Sequence, residues 1–408
     1  KRHIIYFLHF IICYIFLHRY TVDRKKEKEY NVVIINPEKK NMSDLQFRNG
    51  KFKIMQIADI QEDFPLNPDT VRLIELAIEK EMPDLVVLTG DQVQGYSKCY
   101  RTDGSSKVRQ CIDSFLEPLT KRNIPFAFTF GNHDDDGPVT KKEQFGYYSA
   151  HSEFCVGEAA DRLDEGTHSI RIKDSKKEKD IFALYLIDSG KKTNGIYDPM
   201  KKERIEWLCQ QKERNGYLPA MVFQHIPLPE YYDILEEGSV FRKGRVEAFH
   251  SRKNRFYVLP EKGKEENEMM GESPAPPEIN NGEFDEIIKD GDIFAVWAGH
   301  DHLNSFRRNL KGVDLGYCQG AGFNTYGPGD RRGVRVFVLD ESDLRSYSTY
   351  QVTMGELCEY KPTYPFKEFV YSNMPSSIGE VKSGLKRAGA VLAVASVAVA
   401  VIVKLSKK

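Results

Sequence analysis

The stretches DLVVLTGD (Asp84–Asp91) and PFAFTFGNHD (Pro125–Asp134) decide the fold class of this chain. Each begins as a nearly continuous apolar run, which is typical of a strand buried on both faces in a parallel sheet. The residues between them, 108–122, have a helical pattern, so a strand, a helix and a strand follow one another. Each strand is followed at once by a Gly and a polar residue. The pair therefore predicts an α/β unit with chemistry at its strand ends.

The same alternation extends in both directions along the chain. Further strands are predicted at 53–58, 181–187, 218–224, 292–298 and 334–339. Helices are predicted at 67–80, 108–122, 140–154 and 200–214. The polar, Pro-rich run 261–277 is interpreted as a surface loop. Alternating strands and helices over some 300 residues predict a single α/β domain.

Five of the predicted strands end in a short polar cluster. In chain order the clusters are Asp59-Ile60-Gln61, Gly90-Asp91, Gly131-Asn132-His133-Asp134, His225 and Gly299-His300-Asp301-His302. Ligands of α/β sheets bind beyond the carboxyl ends of the strands, so we expect these clusters to converge. The Gly residues allow a tight turn and a close approach of the backbone.

The residue types in these clusters match the chemistry of a two-metal hydrolase. Carboxylates and imidazoles are ligands for Mn, Fe and Zn alike. One Asp can bridge two cations through its two oxygens, and two cations can clamp both oxygens of an in-line phosphoryl displacement.

The order D-x-x, GD, GNHD, H and GHDH resembles the calcineurin-like metallophosphoesterases. The segments GIYDPMKKERIEWL (195–208), FQHIPLPEYY (223–232) and GAGFNTYGPGDRRGVRV (320–336) are similar to the purple-acid-phosphatase-related subgroup, some members of which are inactive. The resemblance covers roughly residues 52–339. It implies an α/β sandwich of two β-sheets flanked by helices.

The resemblance also implies a role for each matching residue. Metal ligands are implied with Asp91 as the bridge, with Asp59, Gln61 and His302 at the first metal, and with Asn132, His225 and His300 at the second. His133 is implied to face the phosphate as a general acid. Asp134 is implied to hydrogen-bond His133 and to set its tautomer.

Two positions depart from the family pattern. Gln61 stands where most members have a His, and a neutral amide oxygen is a weaker ligand for a transition metal than an imidazole. We therefore expect two divalent metal ions (Mn, Fe or Zn), with Mn favoured by Gln61. Gln94 stands where purple enzymes have a Tyr, so no purple centre is expected. Tyr96, two residues further on, is interpreted as a packing residue.

The implied function is a phosphatase that hydrolyses phosphomonoesters through a hydroxide held by two metals. One alternative is a phosphodiesterase or nuclease on the same fold, and another is a membrane-tethered binding protein with weakened turnover. The substrate is either a small molecule or a phosphoprotein. Arg331 and Arg332 follow a Gly-rich loop, where they either clamp phosphate bidentately or form a solvated pair.

Composition and the apolar runs near the chain ends limit the partners and locations that we expect. The net charge of −1 provides no basic field, so nucleic acid is not an expected partner. The apolar runs 4–17 and 388–403 predict membrane association, in the secretory pathway or on a cytosol-facing membrane. The predicted organisation is a signal peptide or anchor (1–20), a charged linker (21–44), a metallophosphoesterase domain (45–360), a linker (361–387) and a candidate transmembrane helix (388–404).

Overall fold

The computed structural model describes residues 45–157, 159–239 and 241–374. They lie in the compact unit Met42–Lys408, and the other unit, Lys1–Asn41, lies outside the described residues. The strands in chain order are β1 (Lys51–Ile57), β2 (Leu85–Thr89), β3 (Phe126–Thr129), β4 (His168–Lys173), β5 (Asp180–Ile187), β6 (Lys192–Thr193), β7 (Ile196–Tyr197), β8 (Ala220–Gln224), β9 (Glu236–Gly238), β10 (Val246–Glu247), β11 (Phe256–Val258), β12 (Met269–Met270), β13 (Ile293–Ala298), β14 (Asn304–Ser305), β15 (Arg307–Leu310), β16 (Val313–Tyr317), β17 (Gly333–Asp340) and β18 (Asp343–Thr353).

The helices lie between the strands and after β18. In chain order they are α1 (Pro68–Glu81), α2 (Gly104–Thr120), α3 (Lys141–Ser149), α4 (Lys202–Arg214), α5 (Glu283–Lys289), α6 (Met354–Leu357) and α7 (Pro365–Ser372). The start of α1 follows ordinary capping chemistry. The Asn67 side chain accepts a hydrogen bond from the Asp69 amide, and Pro68 occupies the first turn, where its missing N–H costs nothing.

Two large sheets form the centre of the fold. The first has the order β18-β17-β1-β2-β3, and the second has the order β15-β16-β13-β8-β5-β4. Neighbouring strands are parallel from β1 to β3 and again from β16 through β13 and β8 to β5. The carboxyl ends of these parallel strands share one edge within each sheet.

Side-chain alternation along the strands builds three apolar layers. In β1, Ile54 points into the layer between the two sheets, while Met55 and Ile57 point to the layer under α1 and α2. A third layer joins the second sheet to α4 and α5, through side chains such as Trp207 and Ile287. The period of two in the strands thus produces a sandwich of two sheets with helices on both outer faces.

The predicted sandwich of two sheets is confirmed, and all the predicted strands and helices are present with shifted ends. Within the two large sheets, the sequence pattern missed β4, β15, β16 and β18. β18 runs for eleven residues and has an exposed face, so its apolar content is too low for a buried-strand signal. The helix predicted at 140–154 ends at Ser149.

The folded region extends past the domain end predicted at residue 360. α7 lies inside the linker predicted at 361–387, and its Glu368 pairs with Arg332 at 2.6 Å. The segments predicted at 1–20, 21–44 and 388–404 lie outside the described residues. Among the helices that are described, none is long and apolar enough to cross a bilayer.

Candidate metal centre

The polar clusters at the strand ends converge on one site between the two sheets. Asp59 and Asp91 follow β1 and β2 of the first sheet, while His225 and His300 follow β8 and β13 of the second. Contacts join the sheets directly: the His300 amide donates to Asp59 Oδ2 at 2.9 Å, and His225 Nε2 lies 3.2 Å from Asp91 Oδ2.

Three residues of this site have backbone conformations that residues other than Gly rarely adopt. Asp59, Asp91 and His300 have φ angles of +51°, +50° and +73°. Left-handed residues other than Gly are uncommon, and they cluster at functional sites because the surrounding structure holds them. Gly131 is required for a different reason, because a Cβ at this position would collide with Asp91 Oδ1. Gly131 therefore lets the loop after β3 approach the Asp91 carboxylate.

Three side chains form a compact ligand set. One ligand atom from each of Asp91, His225 and His300 lies within 4.8 Å of the other two, and all three residues are buried. His300 Nδ1 is 3.2 Å from His225 Nε2. Two imidazole nitrogens and a carboxylate oxygen that point at one another match the ligands of a divalent transition metal.

A second group lies beside the first. His302 Nε2 is 3.2 Å from Asp59 Oδ1, and His225 Nε2 is 4.0 Å from the same oxygen. The Asn132 side chain is buried, and neither of its polar atoms has a hydrogen-bond partner among the described residues. A buried polar group without a partner costs free energy, and a bound cation would satisfy the amide oxygen. The residues present therefore fit two divalent cations.

Backbone carbonyls hold two of the imidazoles in the orientation that ligation needs. His225 Nδ1 contacts the Thr89 carbonyl at 3.0 Å, and His302 Nδ1 contacts the Tyr326 carbonyl at 2.8 Å. Because a carbonyl only accepts, each Nδ1 carries the proton and each Nε2 faces the carboxylates.

The carboxylates make this site strongly attractive to positive charge. Burial alone lowers the pKa of His225, but Asp91 and Asp59 raise it to about 9. Burial likewise lowers the pKa of His302, and Asp59 raises it to about 9. The two carboxylates thus favour positive charge at the place where the resemblance implies a cation.

Gln61 lies next to the bridge candidate. Its Nε2 faces Asp91 Oδ2 at 3.4 Å, and its backbone φ is +38°. In that amide orientation the nitrogen donates to the carboxylate, and a metal ligand requires the oxygen to face the cation instead. Gln61 is therefore within reach of the site, and its role as a ligand stays a prediction.

Asp134 does not make the contact with His133 that the resemblance implies. The Asp134 carboxylate does not contact the His133 ring; it accepts hydrogen bonds from the backbone amides of Asp91, Val93 and Gly131 at 2.8–3.0 Å. Asp134 thereby ties the loop after β2 to the loop after β3. The partner of His133 Nδ1 is Asp136 Oδ2, at 2.6 Å.

The two arginines do not form a phosphate clamp. Arg332 is fully buried, and all three of its guanidinium nitrogens donate to protein groups: the carbonyls of Gly322, Thr325 and Gly329 and the Glu368 carboxylate. Arg331 donates to the Asn267 carbonyl at 2.7 Å. Arg332 is a structural group because its hydrogen-bonding capacity is used inside the fold.

Three tyrosines pack against histidines of the site, and sequence reasoning missed two of them, Tyr197 and Tyr326. The Tyr326 ring stacks on His302 with centroids 4.2 Å apart, Tyr197 meets His300 edge-on at 4.7 Å, and Tyr96 meets His133 edge-on at 4.8 Å. Tyr96, interpreted as a packing residue, is half exposed and stands beside the general-acid candidate. No local motif marks these tyrosines.

The loop predicted at 261–277 also reaches the site. Glu272 is buried and accepts hydrogen bonds from the Leu303 amide at 2.8 Å and from the Tyr326 hydroxyl at 3.0 Å. The latter part of this loop is therefore not a surface loop, because Glu272 anchors it to the segment that carries His302.

The comparison with known protein families agrees with the fold. The family model of the calcineurin-like phosphoesterases matches residues 52–304. This chain belongs to that family of hydrolases.

Some of its relatives are named as phosphatases, and others are named as inactive phosphatases. The chain is 28% identical over 332 residues to "Probable inactive purple acid phosphatase 14" of Arabidopsis thaliana, covering 71% of this chain and 75% of the relative. It is 24% identical to "Phosphatase DCR2" of Saccharomyces cerevisiae, covering 81% of this chain and 58% of the relative. Among solved structures, a dimetal phosphatase from Danio rerio is similar with a TM-score of 0.46 and 12% identity, covering 74% of this chain and 99% of that one.

Proposed function

We propose that this protein is a phosphomonoesterase that depends on two divalent cations. The observation that carries the proposal is the buried set of Asp91, His225 and His300, whose ligand atoms converge within 4.8 Å at the strand ends. The left-handed backbone at Asp91 and His300 supports it, since such conformations are kept where function requires them.

In this proposal Asp91 holds both cations. Asp59, His302 and Gln61 hold one of them, while His225, His300 and Asn132 hold the other. When bound, two cations would place positive charge next to the phosphoryl oxygens, and they would also generate a nucleophile from water at neutral pH. Mn is favoured over Fe and Zn because hard cations accept an amide oxygen such as that of Gln61.

His133 supplies the proton for the leaving group in this proposal. Burial lowers its pKa, but Asp91 and Asp136 together raise it above its ordinary value. Its Nδ1 is bound to Asp136, which leaves Nε2 as the proton donor. Asp134 takes no part in proton transfer and acts by fixing the loops that present Asp91 and Gly131.

The test combines metal analysis with an aryl-ester assay on the purified full chain. We expect Mn-dependent hydrolysis of phenyl phosphate and little hydrolysis of diphenyl phosphate. Asp91→Asn is expected to lose bound metal and roughly 10³-fold of kcat. Asp135→Asn is the control, since Asp135 pairs with Lys191 outside the ligand set. Normal turnover by Asp91→Asn contradicts the two-metal proposal, and preferred hydrolysis of the diester favours a phosphodiesterase.

A binding protein with weakened turnover is the second candidate. The observation that favours it is Gln61, whose amide nitrogen rather than an imidazole faces Asp91. Metal binding without turnover, together with turnover gained by Gln61→His, is the result that supports this candidate.

Membrane association remains a proposal that rests on the sequence. The apolar runs 4–17 and 388–403 are the reason for it. Extraction of cell membranes with alkaline carbonate tests it, because an integral protein stays with the membrane and a peripheral one is released.

A further inference from the structure

A two-residue hairpin stands at the edge of the metal site. β6 and β7 are joined by Asn194 and Gly195, whose φ angles of +51° and +84° are those of a tight hairpin turn. The register pairs Lys192 directly with Tyr197. Paired residues in a hairpin project from the same face, so the turn holds the Lys192 side chain over the Tyr197 ring.

Lys192 is placed close to the ligand set by aromatic contacts. Its Nζ lies 4.7 Å from the Tyr197 ring centroid and 5.5 Å from that of Phe249. The same Tyr197 ring meets His300 edge-on at 4.7 Å. The Tyr197 ring therefore lies between the Lys192 ammonium and the metal-ligand candidate His300. Lys192 itself does not belong to the ligand set.

Among the residues that the structure describes, no carboxylate pairs with the charge on Lys192. Within the described ranges, no carboxylate oxygen lies within 4.0 Å of its Nζ, whereas the neighbouring Lys191 pairs with Asp135 at 3.0 Å. Lys192 is exposed to solvent, and the partial desolvation of its ammonium by neighbouring groups lowers its pKa, an effect that the more distant Asp136 only partly offsets. An exposed ammonium that lies against two rings and has no carboxylate partner among the described residues is suited to bind an anionic ligand group.

We propose that Lys192 binds a second anionic group, carried by the leaving group of the substrate, and that Tyr197 and Phe249 form the wall of this subsite. The inference rests on the proposed function, because it takes the scissile phosphoryl group to lie at the ligand set. The preferred substrates are then phosphomonoesters whose leaving group bears its own negative charge. Arg331 and Arg332, the candidates from sequence, are occupied elsewhere in the fold.

The test compares phenyl phosphate with 4-carboxyphenyl phosphate, using the Mn-loaded full chain. We expect the KM of the wild type for 4-carboxyphenyl phosphate to be roughly tenfold lower. Lys192→Met keeps the aliphatic stem on the rings and removes the charge. It is expected to abolish that tenfold preference and to leave the KM for phenyl phosphate unchanged. Lys191→Met is the matched control and is expected to change neither KM.

Two results overturn the inference: equal KM values in the wild type, or an equal rise for both substrates in Lys192→Met. Absence of turnover on both substrates contradicts the proposed function instead. In that event titration calorimetry with benzylphosphonate and 4-carboxybenzylphosphonate decides the inference. The same tenfold preference in Kd, lost in Lys192→Met, supports the subsite, and equal Kd values overturn it.

Discussion

At the scale of single residues, the site combines strained backbone with crowded charge. Asp59, Asp91 and His300 each adopt a left-handed conformation, and His225 Nε2 lies 3.2 Å from Asp91 Oδ2 and 4.0 Å from Asp59 Oδ1. Two carboxylates that face the same imidazole nitrogen repel one another, and a positive charge between them relieves that repulsion. The role of a residue that departs from the family pattern, such as Gln61, is therefore best tested by measuring metal binding.

Gln61→His should change the metal preference of the protein. An imidazole in place of the amide strengthens binding of Zn and Fe more than binding of Mn. We expect the purified wild type to be colourless and to need added Mn, and the variant to retain more Zn or Fe in elemental analysis. An unchanged metal content and preference would mean that Gln61 does not contact the cation.

His133→Asn should slow turnover without loss of metal. A general acid contributes roughly 10²–10⁴-fold to the rate, so kcat is expected to fall by that factor. Asp136→Asn should have a smaller effect, roughly tenfold, because the ring keeps its place but loses its charged partner. Metal analysis of both variants is the control, and loss of metal from His133→Asn would show that His133 is a ligand.

At the scale of elements, a buried ion pair links α7 to the segment before β17. Arg332 Nη1 lies 2.6 Å from Glu368 Oε1, and Arg332 is fully buried. The same guanidinium also stacks over the Phe323 ring, with its carbon 4.8 Å from the ring centroid. α7 thus belongs to the folded domain through this contact.

Arg332→Met should destabilise the fold through this contact. Removing one partner of a buried ion pair leaves the other charge unpaired, which costs roughly 3–5 kcal/mol. We expect chemical denaturation to give that loss in the free energy of unfolding. Arg331→Met is the matched neighbour and should cost no more than about 0.5 kcal/mol. Similar stabilities of the two variants would contradict the structural role of Arg332.

The first turn of α5 contains a buried carboxyl group that makes stability depend on pH. Burial raises the pKa of Glu283 from 4.5 to about 8, and Glu230 adds to the shift. The folded state therefore holds a proton that the unfolded state has released. The resulting stabilisation is complete below pH 4.5 and is lost as the pH rises toward 8.

Glu283→Gln should remove this dependence on pH. A neutral amide of similar shape escapes the cost of ionising inside the protein. We expect the variant to match the wild type at pH 4.5 and to have a higher Tm at pH 8. The slope of stability with pH should fall by up to about 1.4 kcal/mol per pH unit within this window. Parallel Tm profiles of the two proteins would show that Glu283 is charged in both states.

At the scale of the whole molecule, the metal site joins the two sheets. Asp59 and Asp91 come from the first sheet, and His225 and His300 come from the second. A cation that binds this set contacts both sheets of the folded state. Metal binding and global stability should therefore be linked.

Added Mn²⁺ should raise the Tm of the wild type. A ligand that binds only the folded state stabilises it by about 2.7 kcal/mol at a concentration of 100 Kd. We expect EDTA to reverse the shift and Asp91→Asn to abolish it, as measured by differential scanning calorimetry. A Tm that is insensitive to Mn²⁺ in the wild type would contradict a cation site between the sheets.

The α/β class, the core strands and the convergence of Asp59, Asp91, His225, His300 and His302 could be predicted from the sequence by itself. Buried strands have a strong apolar signal, and the polar residues of the site directly follow those strands. Only the tertiary structure decided that Asp136 rather than Asp134 pairs with His133. Both Asp residues lie within three positions of His133, so the path of the loop decides which of them reaches the ring. The tertiary structure also decided that Arg332 is buried and that Tyr96, Tyr197 and Tyr326 pack on the histidines. These contacts join loops from distant parts of the chain, and no local periodicity encodes them.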